Sequence, residues 1–191
     1  MTANNTLTGA ETGADGHPYD TLTPDTILDA IEAVGYPVSG RLFALNSYEN
    51  RVYQVGIDDK RPLIAKFYRP GRWTEAQIRE EHSFSQELVE GGVPIVAPLP
   101  LPTGDTLGFH GGFHFAVFEQ RGGEAPDTSV PDTLYRLGQW LGQLHNIGAS
   151  KTFAHRPAMA ILPSITDFSR YLTDNNWVPD DLRPAWDSLI P

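Results

Sequence analysis

Lys66 stands in the middle of an apolar run, Leu63-Ile64-Ala65-Lys66-Phe67, and an ammonium buried there without a partner is costly. An edge strand whose lysine extends its charged head to water explains the pattern without any function. A partner is nevertheless within reach. Glu81 follows fifteen positions later, in a stretch of helical periodicity. A strand lysine paired with an inward-facing helix glutamate is the device by which kinases hold the α- and β-phosphates of a nucleotide. Glu80 competes for that role one position round the helix, and both glutamates also suit a solvated helix face. Asn46-Ser47-Tyr48-Glu49-Asn50-Arg51 lies between the first two strands, where such a site needs a glycine-rich cover over the phosphates. No glycine occurs there, so the G-x-G-x-x-G pattern fails. Short polar side chains and backbone N–H groups are left for the task, and an ordinary turn built on Asn and Ser is the alternative. Phe115 to Gly122 reads as a last sheet strand and a hinge, whose backbone would bond an adenine flanked by Phe118 or Ile64.

The elements that must position these residues follow from periodicity and caps. Thr23, Pro24 and Gly35 suit the N-cap, first position and end of a helix whose apolar face is Ile27, Leu28, Ile31 and Val34. The period then shortens to two, which predicts strands at 42–45, 52–57 and 62–68 with a turn at 58–61. Thr74-Glu75-Ala76-Gln77 is a capping box, so a helix starts at Glu75 and runs to about Glu90 before Gly91-Gly92. Ile78, Glu81, Phe84 and Leu88 share roughly one side of it. Residues 93–98 form a short extended segment and 107–109 and 113–118 a hairpin, which makes two or three further strands. Arg121-Gly122-Gly123 is a flexible joint. Beyond it, 132–147 is an amphipathic helix with Leu134, Leu137, Leu141 and Leu144 on one face, and 163–173 and 179–190 are further helices. The expected class is α+β: an antiparallel-sheet lobe followed by helices.

Composition narrows the functions. The 191 residues carry a formal net charge of -10 and a pI near 4.9, which disfavours nucleic acid and anionic membrane as partners. There is no cysteine, so disulfides and thiolate zinc sites are excluded. No apolar run approaches the roughly 20 residues of a membrane span. Residues 1–20, rich in Thr, Gly, Ala and Asn, predict a disordered tail. His110 and His114 flank Gly111-Gly112, which suits a hairpin better than a helical metal pair. His145 ends an apolar helical face and is expected to be packed and hydrogen-bonded. Arg69, Arg72 and Arg79 suit phosphates or a protein substrate as partners, but the solvated surface is expected for each.

Longer strings carry more specificity. Leu45 to Gln54, Ala65-Lys66-Phe67-Tyr68-Arg69-Pro70, Arg72-Trp73-Thr74, Glu80-Glu81-His82, Leu137-Gly138, Leu141-Gly142, Leu144-His145 and His155-Arg156-Pro157 strongly resemble the stress response kinase A family, over about residues 21–191. The resemblance implies a cytoplasmic serine/threonine protein kinase with a protein-kinase-like, aminoglycoside phosphotransferase-like fold that uses ATP and Mg2+, linked to stress survival. Carried over by position, Ser47 contacts ATP, Lys66 holds its phosphates, Glu81 orients Lys66, and Glu119 to Gly122 form the hinge. The nucleotide-binding candidates are therefore Ser47, Asn50, Ile64, Lys66, Glu81, Phe118, Glu119 and Arg121. The expected domains are the tail at 1–20, a nucleotide-binding lobe with hinge at 21–123, and an incomplete helical lobe at 124–191.

This sequence also departs from the family. Members carry a catalytic-loop Asp, a metal-binding Asn and a second metal-binding Asp. His155-Arg156-Pro157 has proline where that Asp belongs, and Leu162 stands where the Asn is needed. Asp167-Phe168-Ser169 imitates Asp-Phe-Gly but follows no catalytic loop. The expectation is a chain cut off before the catalytic loop, with the magnesium ligands beyond residue 191 and negligible phosphoryl transfer by itself. An incomplete helical lobe should leave Trp186, Leu189 and Ile190 uncovered, which favours association. A non-catalytic nucleotide-binding module and a small-molecule phosphotransferase of the aminoglycoside or choline type are the alternatives.

Overall fold

Helix α1 begins where cap chemistry predicts. In a computed structural model describing residues 17–158 and 161–189, α1 spans Pro24–Ala33 and the Thr23 hydroxyl accepts the Thr26 N–H. Gly35, at φ 86°, then turns the chain into the sheet. Five strands follow: β1 Val38–Leu45, β2 Arg51–Ile57, β3 Leu63–Phe67, β4 Gly108–His110 and β5 Phe113–Glu119. They form one antiparallel sheet in the order β1-β2-β3-β5-β4. Strand β1 starts four residues before the expected Leu42. Gly40 at φ 75° and a register shift between Val38 and Leu42 break the two-residue period there, which hides the strand's first half from pattern reading.

Side chains alternate across a strand, and here each face has its own core. Val55, Ala65, Phe67, Phe115 and Val117 meet Ile27, Ala30 and Ile31 of α1 on one face. Ala116 and Tyr68 meet Ile78 of helix α2, Glu75–Glu90, on the other, together with Leu107. Each large side chain buried in this way contributes about 1.5–3 kcal/mol.

Residues 17–20 correct the tail's boundary, and residues 1–16 of the expected tail lie outside the described residues. Tyr19 is buried in the α1-side core, stacked on Phe113. Its hydroxyl donates to the backbone carbonyl of Glu49 at 2.9 Å. One aromatic ring outweighs the polar composition around it. The extended segment expected at 93–98 forms no strand; only Pro98 bridges to Phe118. Prolines 94, 98 and 100 lack the N–H groups a ladder requires.

Helix α3, Pro131–Gly148, leaves Leu134 and Leu141 exposed and buries none of its residues. Its C-terminal end and the following residues lie against α2, with Phe84 edge-on to Phe153 and Lys151 paired with Glu87. The chain divides into compact units after Ala154, and these contacts place α3 with the sheet-bearing one. In the second unit, α4 spans Ile161–Asp174 and α5 spans Arg183–Leu189. The Trp186 indole N–H donates to the buried Ser169 hydroxyl at 3.0 Å. Trp186 is thus partly covered, Leu189 is exposed, and Ile190 lies outside the described residues. Helix α5 starts at Arg183 and not near Pro179, because 180–182 form a turn. Among the described residues no helix is long and apolar enough to cross a membrane.

Candidate functional site

Lys66 lies on a central strand. It pairs with Val52 of β2 on one side and Ala116 of β5 on the other, so an edge lysine reaching directly for water does not describe it. Its side chain is 22 % exposed and its Nζ is 3.0 Å from Glu81 Oε1. Glu81 reaches it because Ile78 and Leu88 turn that side of α2 toward the sheet. Glu80 is directed elsewhere and accepts the Ala154 N–H. The choice left open between the two glutamates is settled in favour of Glu81 as the lysine's partner.

The loop before β2 is held by side chains in place of glycine. The Glu49 carboxylate accepts the Arg72 Nε–H at 3.1 Å and the Trp73 indole N–H at 3.0 Å. Partial burial raises the Glu49 carboxyl, but the hydrogen bonds from Trp73 and Arg72 outweigh it and hold the group below its ordinary value. The Arg72 guanidinium also covers the Trp73 ring. Asn50 Oδ1 accepts the Arg69 N–H at 3.3 Å. The loop is therefore clamped to the β3–α2 connection, while Ser47 and Tyr48 at its tip are exposed. Arg72 and Arg79 are solvent-exposed as expected, yet each is also engaged: Arg79 bridges Glu75 and Asp105.

The sheet register sorts the remaining candidates. Ile64 pairs with Phe118, and both lie on the Lys66 face by alternation. Glu119 pairs with Leu63, so its side chain belongs to the opposite face, where its carboxylate meets the Arg121 guanidinium at 2.7 Å. The structure thus gathers Ile64, Lys66, Glu81 and Phe118 on one face, hangs Asn50 and Ser47 on the adjoining loop, and turns the side chains of Glu119 and Arg121 away. A hinge role for those two would rest on backbone groups.

A residue noted only as part of a motif also belongs here. His82, next to Glu81, is 4 % exposed. Its Nε2 is 2.6 Å from the Tyr68 hydroxyl and its Nδ1 is 2.7 Å from Thr106 Oγ1. Burial pushes its pKa down to about 4 against the pull of Glu81, so the imidazole is neutral near pH 7. Ile78 and His82 are four apart on the helix, and that spacing was the available signal for its burial. Thr106 and Tyr19 gave none, because their roles depend on distant partners.

Other candidates disperse. His114 Nε2 lies 3.7 Å from Glu75 in the hairpin. Among the described residues no group of three or more His, Asp or Glu is arranged to hold a metal ion. His145 is exposed and not packed as expected, because the apolar face of α3 is itself uncovered. Asp167 and Phe168 lie within α4, with Asp167 paired to Arg170.

A partly open ammonium paired with one carboxylate, on a sheet face that also carries Ile64 and Phe118, suits a multiply charged anion that also carries a flat apolar group. Comparison with known proteins points the same way. A profile for the phosphotransferase enzyme family, APH, matches residues 42–190. Stress response kinase A of Escherichia coli O157:H7 is 41% identical over 168 residues, covering 88% of this chain and 51% of the relative. The serine/threonine protein kinase RdoA of Salmonella typhimurium is 40% identical over the same shares. The chain spans about half the length of these curated relatives. Among solved structures, amicoumacin kinase hAmiN in complex with AMP-PNP, Ca2+ and Ami matches with a TM-score of 0.56 at 18% identity, over 72% of this chain and 42% of that one. Spectinomycin phosphotransferase APH(9)-Ia in complex with ADP and spectinomycin matches with a TM-score of 0.59 at 12% identity, over 79% and 46%. These two likenesses carry the fold: α+β and phosphotransferase-like.

Proposed function

Because this chain belongs to the phosphotransferase enzyme family, we propose that it supplies the nucleotide-binding part of an ATP-dependent kinase. The observation that carries this reading is the 3.0 Å pairing of Lys66 on a central strand with Glu81 on the adjoining helix. Lys66 holds the α- and β-phosphates, and Glu81 fixes the ammonium. Ile64 and Phe118 flank the adenine, the backbone of 119–122 forms the hinge, and the Ser47–Asn50 loop covers the phosphates. The clamp on Glu49 supports that last role, since a cover must hold its shape without glycine. Residues 21–123 then act as the nucleotide-binding lobe and 124–191 as the start of a helical lobe.

The phosphoryl acceptor in this reading is a protein serine or threonine hydroxyl in a stress response, as the names of the curated relatives suggest, and the compartment we propose is the cytoplasm. The absence of cysteine agrees with a reducing compartment. A small-molecule hydroxyl is the second reading, favoured by the small molecules, Ami and spectinomycin, that the two solved phosphotransferases hold. Labelled phosphate appearing on protein, and not on a metabolite, separates the two. Catalysis in such enzymes is mostly positioning and charge stabilisation. The residues around Lys66 supply position and positive charge. Among the described residues no group of three or more His, Asp or Glu is arranged to hold a metal ion.

Titration with a fluorescent ATP analogue tests the reading. Lys66→Ala should weaken binding by roughly ten- to a hundredfold, the range of a lost charge-assisted hydrogen bond. Glu81→Gln should weaken it less, and Glu80→Gln should leave it unchanged. Unaltered affinity in a folded Lys66→Ala chain would overturn the proposal.

A further inference from the structure

Lys66 has a second neighbour besides Glu81. Its Nζ lies 4.6 Å from the centroid of the Tyr68 ring, two residues along the same side of the chain. Tyr68 is 3% exposed, and its hydroxyl meets His82 Nε2 at 2.6 Å while His82 Nδ1 meets Thr106 Oγ1 at 2.7 Å. A neutral imidazole has one N–H and one lone pair, so these two contacts saturate it. The Tyr68 ring cannot swing away without leaving buried polar groups unpaired. His82 and Glu81 are consecutive on α2, so the helix that delivers the carboxylate also holds the ring.

The consequence lies in the lysine's own freedom. An ammonium on a flexible four-carbon stem is poorly fixed by one monodentate partner. A ring face attracts a cation without using any of its N–H donors, because the attraction is to the quadrupole. Glu81 takes one donor and Tyr68 takes none, which leaves two for a ligand. We infer that Tyr68, tethered through His82 to Thr106, is a positioning residue that holds the Lys66 ammonium between a ring face and the Glu81 carboxylate. This inference rests on the nucleotide-binding reading for its purpose, though not for its geometry.

Filling the space between sheet and α2 would also bury Tyr68, so the test needs a readout that packing alone does not move. The lysines of this chain are Lys60, Lys66 and Lys151. In the full chain labelled at lysine 13Cε, without nucleotide, the Lys66 signal should be displaced upfield by the ring and assigned by its loss in Lys66→Arg. The displacement should diminish in Tyr68→Phe, which keeps the ring and loses the tether, and vanish in Tyr68→Leu. Affinity for the fluorescent ATP analogue should follow the same order, with Tyr68→Leu weaker by roughly three- to tenfold, as for a partly desolvated cation–π contact. An undisplaced Lys66 signal in the unsubstituted chain would overturn the inference even if Tyr68→Leu fails to fold. Unchanged affinity in a folded Tyr68→Leu would do the same, and a Tyr68→Phe equal to the unsubstituted chain would overturn the tether. If Lys66→Ala weakens binding and Tyr68→Leu does not, the positioning role fails alone. If neither matters, the nucleotide reading fails with it.

Discussion

Helices α2 and α3 have nearly the same length, 16 and 18 residues, and both carry an apolar stripe. Yet α2 buries Ile78, His82 and Leu88, while α3 buries none. The difference lies in their surroundings. Helix α2 has a sheet face beside it, formed by Ala116 and bounded by Tyr68 and Leu107. Helix α3 meets α2 near its C-terminal end, where Phe84 lies close to Gly148, and Leu134 and Leu141 face solvent. An amphipathic pattern states that a helix needs a partner, and says nothing of whether the partner is at hand.

Substitution at equivalent stripe positions tests this contrast most strongly. Ile78→Ala on α2, at a fully buried site, should cost about 2–5 kcal/mol in denaturant unfolding. Leu141→Ala on α3, where the side chain is 56% exposed, should stay within about 0.5 kcal/mol. A comparably large loss at Leu141 would mean that α3 is covered in solution.

Acid should separate the helices next. His82 has a folded pKa of about 4 against an ordinary value of 6.5. The unfolded chain therefore takes up a proton first as pH falls. The stability associated with the neutral imidazole is complete above pH 6.5 and is lost progressively down to about pH 4. Over that window the loss amounts to about 3 kcal/mol. Burial dominates this shift; Glu81 and Asp105 oppose it and Lys66 and Arg79 add to it. His82→Gln offers Tyr68 and Thr106 neutral partners and does not titrate. Its unfolding free energy should lack this component of the acid limb, and an acid limb identical to that of the unsubstituted chain would contradict the burial argument.

The smallest effects lie at the caps. Thr74 and Gln77 close a full capping box on α2, whereas Val130 caps α3 with no side-chain hydrogen bond. Thr74→Ala should lower stability by about 1 kcal/mol, and Val130→Ser should raise the helicity of α3 slightly, as circular dichroism would register. A Thr74→Ala chain as stable as the original would show that tertiary packing alone holds the start of α2.

The features legible in the sequence are those carried by short stretches of chain. The start of α1 at Pro24 and the limits of α2 at Glu75 and Glu90 follow from caps and glycines a few residues away. The alternation of Leu63, Ala65 and Phe67 is local too, and so is the strand-then-helix order that makes Lys66 and Glu81 candidates for each other. Only the tertiary structure decided what depends on residues far apart in the chain. It placed Lys66 on a central strand by pairing it with Val52 and Ala116, and it chose Glu81 over Glu80. It drew Tyr19 into the core against Phe113, clamped Glu49 to Arg72 and Trp73, and closed the line from Tyr68 through His82 to Thr106. Local propensity fixes backbone shape through neighbours within about a helical turn. A buried polar group takes whichever partner the fold brings to it, because leaving it unpaired costs more than any local preference.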